Sequence, residues 1–177
     1  GTLRYLLLAP VGRLRLLATK AAALAVGAVV GALLVAVGGV LTGVALFGAG
    51  PLISLSGTQL TVVDGLWRLA LAALYVAAGL TALGMIGLFI STLTEQPIAA
   101  TVATAMVGTL LWVLDAVPQL DWLHPWLLVD RWPVFIDLLR APVFLDRIVA
   151  GLAVDAAYAG VFFALAWLRF RRKDITS

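Results

Sequence analysis

The sequence contains no cysteine and a single histidine, His124. Without thiols there can be no disulfide framework, no thiolate nucleophile and no thiolate metal site, and one imidazole cannot build a histidine-based metal cluster. Charge is scarce as well: 12% of the 177 residues are Asp, Glu, Lys or Arg, about half the share of an average globular domain. Also missing are a G-x-S-x-G elbow, an H-E-x-x-H helix, a phosphate-cradling G-x-x-x-x-G-K-[ST] loop and paired carboxylates within an apolar run. No enzyme is expected, no cofactor is called for, and any ATP must be bound by another chain. What the chain does have is apolar residues, 63% of the total, too many to hide inside one 18.6 kDa globule. Lipid is therefore the expected solvent. The net charge of +3 gives no reason to expect a nucleic-acid partner.

The apolar residues fall into four runs. Residues 21–47 carry no charge and would form roughly 40 Å of helix at ~1.5 Å per residue, more than a ~30 Å hydrocarbon core needs. Residues 69–94 and 97–114 make two further spans, parted only by the polar corner Thr94-Glu95-Gln96. This corner reads as a helix start at Pro97, with Glu95 near the positive end of the helix dipole. Residues 148–168 make a fourth span despite Asp155, because the cost of one central carboxylate, ~2.5–3.5 kcal/mol, is offset by the surrounding aliphatic and aromatic side chains. The expected fold is all-α: a polytopic membrane helix bundle of four spans, with an amphipathic cytoplasmic helix and a short outer interfacial helix.

An even number of spans puts both termini on one side. The flanks 1–20 and 169–177 hold Arg4, Arg13, Arg15, Lys20, Arg169, Arg171, Arg172 and Lys173, whereas the opposite loops hold Arg68, Arg131, Arg140 and Arg147. The positive-inside rule then makes both termini cytoplasmic in a plasma (inner) membrane and residues 121–147 an outer segment.

Residues 1–20 space leucines and arginines as a short amphipathic helix broken at Pro10, followed by a turn into the first span. Such a helix either lies on anionic lipid or docks onto a cytoplasmic partner. In the outer segment, Trp132, Phe135, Ile136 and Leu139 recur at α-helical spacing, with Asp130 placed as N-cap and Asp137 and Arg140 on the more polar side. This face reads as a gate over a translocation path or as an interfacial anchor, and His124 as a surface histidine. Gly27, Gly31, Gly39 and Gly43 form two GxxxG pairs, expected to serve packing within the chain. Asp155, the carboxylate inside a span, is either satisfied structurally or contacts substrate.

Several stretches resemble the permease subunits of ABC-type-2 exporters: Gly1-Thr2-Leu3-Arg4-Tyr5-Leu6-Leu7-Leu8-Ala9-Pro10-Val11-Gly12-Arg13 with the basic residues that follow, the closing Arg169-Phe170-Arg171-Arg172-Lys173, Ser91-Thr92-Leu93-Thr94, and Phe135-Ile136-Asp137-Leu138-Leu139-Arg140-Ala141-Pro142. The likeness spans nearly the whole chain, with one departure: the family commonly has Ser where Gly12 stands. The resemblance implies six spans per subunit, a dimer with a second permease copy, two ATPase subunits, and a cytoplasmic connection that receives force from the ATPase. On that template the four spans are the third to sixth, and Leu3, Arg4, Leu7, Pro10 and Arg13 belong to the coupling connection. The chain opens on Gly1 and not methionine, in keeping with the expectation that residues precede it. The alternative is a membrane scaffold that anchors a cytoplasmic partner without transport.

Overall fold

A computed structural model describes residues 12–50 and 52–172, with the backbone alone for Arg13 and Arg172. The fold is helical apart from one small hairpin. Helix α1 is Arg13–Phe47, strands β1 and β2 are Leu52–Ile53 and Gln59–Leu60, helix α2 is Val62–Leu93, α3 is Pro97–Asp115 and α4 is Leu145–Arg172. Short 3-10 segments occupy Pro118–Leu120, His124–Trp126 and Val129–Leu139. All four α-helices are long and apolar enough to cross a membrane, which fits a multi-pass membrane protein.

Three of the helices outrun the uncharged stretches that foretold them, because charges at a helix end remain in the wet interface while the backbone continues its hydrogen bonding. Residues 13–20 show this most clearly. Among the described residues there is no turn between Arg13 and the first span, and α1 runs unbroken through Lys20, with the Thr19 hydroxyl donating to the Arg15 carbonyl at 2.8 Å. Gly12, at the N-cap, supplies no side-chain acceptor. Helix α2 has a side-chain N-cap: Thr61 Oγ1 accepts from the Asp64 amide at 3.1 Å and donates to the Asp64 carboxylate at 2.7 Å. Helix α3 starts at Pro97, where the missing N–H costs nothing, and Thr94 Oγ1 holds the preceding corner by accepting from the Gln96 amide at 3.2 Å.

Helix α2 is the axis of the bundle. Its Ala72, Ala73, Ala77, Gly79 and Ala82 are buried, and small residues of this kind let neighbouring backbones approach closely. Helices α2 and α4 run in the same direction with a constant offset: Ala72 clusters with Ile148, Tyr75 packs on Gly151, and Ile86 and Phe162 share a cluster. Helix α1 packs on this pair through Leu17 and Ala21 near its start. Farther along, Leu34, Val35 and Leu41 are exposed, and a Cβ at Gly27, Gly31, Gly39 or Gly43 would meet nothing within 4 Å. The GxxxG pairs therefore take no part in packing among the described residues, contrary to the sequence expectation. The two ends of the bundle differ: one is basic, with Arg15, Lys20, Arg169 and Arg171, and the other bears the loops.

Candidate functional site

Between α3 and α4 the chain does not stay at the end of the bundle. It doubles back into it. Leu128 is fully buried against Ala82 and Ile86 of α2, with Val107 and Leu111 of α3 and Tyr158 and Phe162 of α4 around it. Ala82 lies about 30 Å along α2 from Val62 at 1.5 Å per residue, so Leu128 sits deep between the helices. From there Val129–Leu139 climbs back out, and Val134 and Leu138 close over Ala72, Tyr75 and Ile148 near the loop-bearing end.

Irregular backbone at such depth is stable only if its polar groups find partners in the protein. Local 3-10 bonds supply some: Leu123 N–H to Leu120 O at 2.7 Å, Trp126 to Leu123 at 2.9 Å and Leu127 to His124 at 3.0 Å. Two tyrosines supply others, Tyr158 donating to the Trp126 carbonyl at 2.9 Å and Tyr75 to the Arg131 carbonyl at 2.8 Å. Two glycines make the room. A Cβ at Gly79 would stand 2.7 Å from Trp132 Nε1, and one at Gly151 would collide with the Tyr75 hydroxyl.

The α-helical period expected for this segment is therefore replaced by a 3-10 period. The buried residues are Leu127, Leu128, Val129, Val134, Asp137 and Leu138, while Trp132, Phe135, Ile136 and Leu139 are half-buried. Asp130 is not the N-cap. Leu128 holds that position, and the Asp130 carboxylate lies 3.3 Å from Arg131 Nε, off the hydrogen-bonding direction. His124 is half-buried, with Nε2 3.2 Å from the Val117 carbonyl.

Asp137, expected on the polar side, is 3% exposed. Arg147 Nη1 stands 3.1 Å from its Oδ2, an ion-pair contact without hydrogen-bond alignment, and Arg140 Nε stands 3.7 Å from its Oδ1. Arg68 of α2 donates to the Arg140 carbonyl at 2.5 Å and the Leu138 carbonyl at 3.4 Å. The β-hairpin completes the clasp, with Leu55 N–H on Leu139 O at 3.1 Å and Ala141 N–H on Ser56 Oγ at 3.1 Å. The i, i+3 spacing of Asp137 and Arg140 was visible in the sequence. The Arg147 partner was not, because it comes from the next helix.

Beneath this clasp lies Asp155, 4% exposed, with Oδ1 lacking a hydrogen-bond partner among the described residues. Trp132 Nε1 is buried and equally unpartnered. The offset between α2 and α4 puts Asp155 level with Gly79, the glycine on which the Trp132 indole rests. An orphaned acceptor and an orphaned donor thus share one level of the bundle. Displacing the inserted segment would free the hydroxyls of Tyr75 and Tyr158 from its carbonyls.

Of the expected coupling residues, Leu3, Arg4, Leu7 and Pro10 lie outside the described residues, and Arg13 opens α1 without a described side chain. Among the described residues no group of three His, Asp or Glu could hold a metal ion. No family model matches the chain, and neither a curated protein nor a solved structure matches it.

Proposed function

We propose that the chain is the membrane-spanning permease subunit of an ATP-driven exporter, with no chemistry of its own. The observation that carries this reading is the inserted segment 121–139, which packs Leu128 between α2, α3 and α4 and brings its own unpartnered Trp132 indole to the level of the unpartnered Asp155. Unsatisfied polar groups in an apolar bundle are costly, and a path that opens to a polar substrate gives them a purpose that a passive anchor does not. In this reading Trp132, Phe135, Ile136 and Leu139 belong to an outer gate that re-enters the membrane to mid-depth, and Asp155 lines the path beneath it. The resemblance to ABC-type-2 permeases supports the same function. It brings with it a second permease copy and a separate ATPase subunit, engaged through the amphipathic cytoplasmic segment 1–20 with Leu3, Arg4, Leu7, Pro10 and Arg13. The excess of basic residues on the terminal flanks supports cytoplasmic termini in a plasma (inner) membrane.

The deciding experiment is purification of the complete protein from detergent-solubilised membranes, with a search for a co-purifying Walker-A ATPase. A stoichiometric ATPase whose association is weakened by Arg13→Glu is the expected result. Isolation without one, from membranes in which the protein is correctly inserted, would leave the scaffold reading in its place. Orientation is checked separately: a cysteine at exposed Gln119 is expected to react with an impermeant reagent from outside the cell.

A further inference from the structure

The basic end of the bundle holds a cleft of about 80 Å3 between α1, α2 and α4, walled by Leu17, Leu88 and Phe170 and edged by Lys20, Ser91 and Thr92. Three features define what it can take. Lys20 forms no ion pair among the described residues, so its ammonium is available to an anion. The Ser91 and Thr92 hydroxyls already donate to the Leu88 and Phe89 carbonyls, each at 2.7 Å; their hydrogens are engaged, and what they offer the cleft is lone pairs. The third feature is the wall beyond the cleft, where α1 exposes Val26, Val30 and Leu34, spaced i, i+4, i+8 on one side of the helix.

We propose that this cleft is a headgroup site for an anionic glycerophospholipid whose headgroup carries hydroxyl donors, of the phosphatidylglycerol type. The phosphate pairs with Lys20, the headgroup hydroxyls donate to Ser91 and Thr92, and the acyl chains lie along the exposed face of α1. A lone cation at the surface would recognise any phosphate. The pair of acceptor-only hydroxyls beside it selects a phosphate linked to a donor, and the apolar wall selects a lipid over a soluble phosphate ester. Basic clefts between membrane helices commonly bind anionic headgroups in this way. The site uses none of the residues assigned to the gate or to Asp155, so it stands or falls apart from the transport reading.

Native mass spectrometry of the complete detergent-purified protein tests it, with phosphatidylglycerol, phosphatidylmethanol and phosphatidylcholine of matched acyl chains in competition. Phosphatidylmethanol has the same charge as phosphatidylglycerol but no headgroup hydroxyl. The expected order is phosphatidylglycerol, phosphatidylmethanol, phosphatidylcholine. In Lys20→Gln the advantage of the anionic lipids over phosphatidylcholine falls about fivefold. In Ser91→Ala/Thr92→Val only the step between phosphatidylglycerol and phosphatidylmethanol disappears. Equal retention of the three lipids by the parent protein, or an unchanged order in both variants, would overturn the proposal. Displacement of the lipid by millimolar glycerol phosphate would do so too, since the cleft would then be a site for a soluble phosphate. The two variants alter different groups, so poor folding of one leaves the other to decide.

Discussion

The two ends of this bundle are held together by different means. At the loop-bearing end, Arg68 and Tyr75 of α2 and Tyr158 and Arg147 of α4 bind one inserted segment to two helices through hydrogen bonds and an ion pair with Asp137. At the basic end the contacts among Leu17, Met85, Leu88, Phe89, Phe162 and Ala166 are apolar, and Arg15 and Lys20 stand without ion-pair partners among the described residues. Directional bonds hold one arrangement and resist others, whereas apolar contacts between helices in lipid are readily exchanged for contacts with lipid tails. The first end is therefore held in one arrangement, and the second rests on contacts that lipid tails can replace.

The sharpest way to break this contrast is to deny the inserted segment its room. Gly79→Leu drives a side chain into the Trp132 indole and is expected to destabilise the protein by about 3 kcal/mol, the upper range for overpacking. A cysteine at Leu128, inert in the parent background, should become reactive to a membrane-impermeant reagent. A Gly79→Leu protein with unchanged melting temperature and a silent Leu128→Cys would remove the inserted segment from the account.

A smaller effect is expected from the clasp. Asp137→Asn removes the charge that faces both Arg140 and Arg147, and because both arginines are substantially exposed the loss is expected at about 1–2 kcal/mol, below the cost of breaking a fully buried pair. In a double-mutant cycle with Arg147→Gln, a coupling of about 0.5–1.5 kcal/mol would assign the effect to that pair. Additive losses would mean that the two side chains act independently.

Asp155→Asn should move stability least at this end, by less than about 1 kcal/mol, since the carboxylate oxygen that changes has no partner to lose. Export should nevertheless fall at least tenfold if Asp155 lines the path, and a variant that exports like the parent would return the residue to a structural role. At the other end, Arg15→Gln is expected to change thermal stability by no more than about 0.5 kcal/mol. A loss as large as that of Asp137→Asn would show that the basic end is cross-linked after all.

The contrast between α1 and α2 shows where reading the sequence stops. Both are uncharged over long stretches, yet 6% of the most apolar stretch of α1 is buried against 44% for α2. Apolarity registers the solvent, and lipid and protein interior are alike in that respect. The corner at Thr94 to Pro97 was legible because Pro and Thr act on their own backbone. The run from Val129 to Leu139 was not. Its spacing suits an α-helix, whereas the chain takes a 3-10 form that seats the Trp132 indole on Gly79.

The amino-acid sequence by itself determined four helices of membrane-crossing length, because an apolar run in lipid must bond its backbone within itself and the length of the run then sets the span. It also determined the basic character of one end, since charge is a local property. Only the tertiary structure decided that α2 forms the axis, that residues 121–139 enter the bundle, that Asp137 turns to Arg147, and that Asp155 and Trp132 lie at one level, each with a polar atom lacking a partner among the described residues. Most of these relations join residues from different helices and loops. No local period encodes such a meeting, which follows from which surfaces fit once the helices have packed.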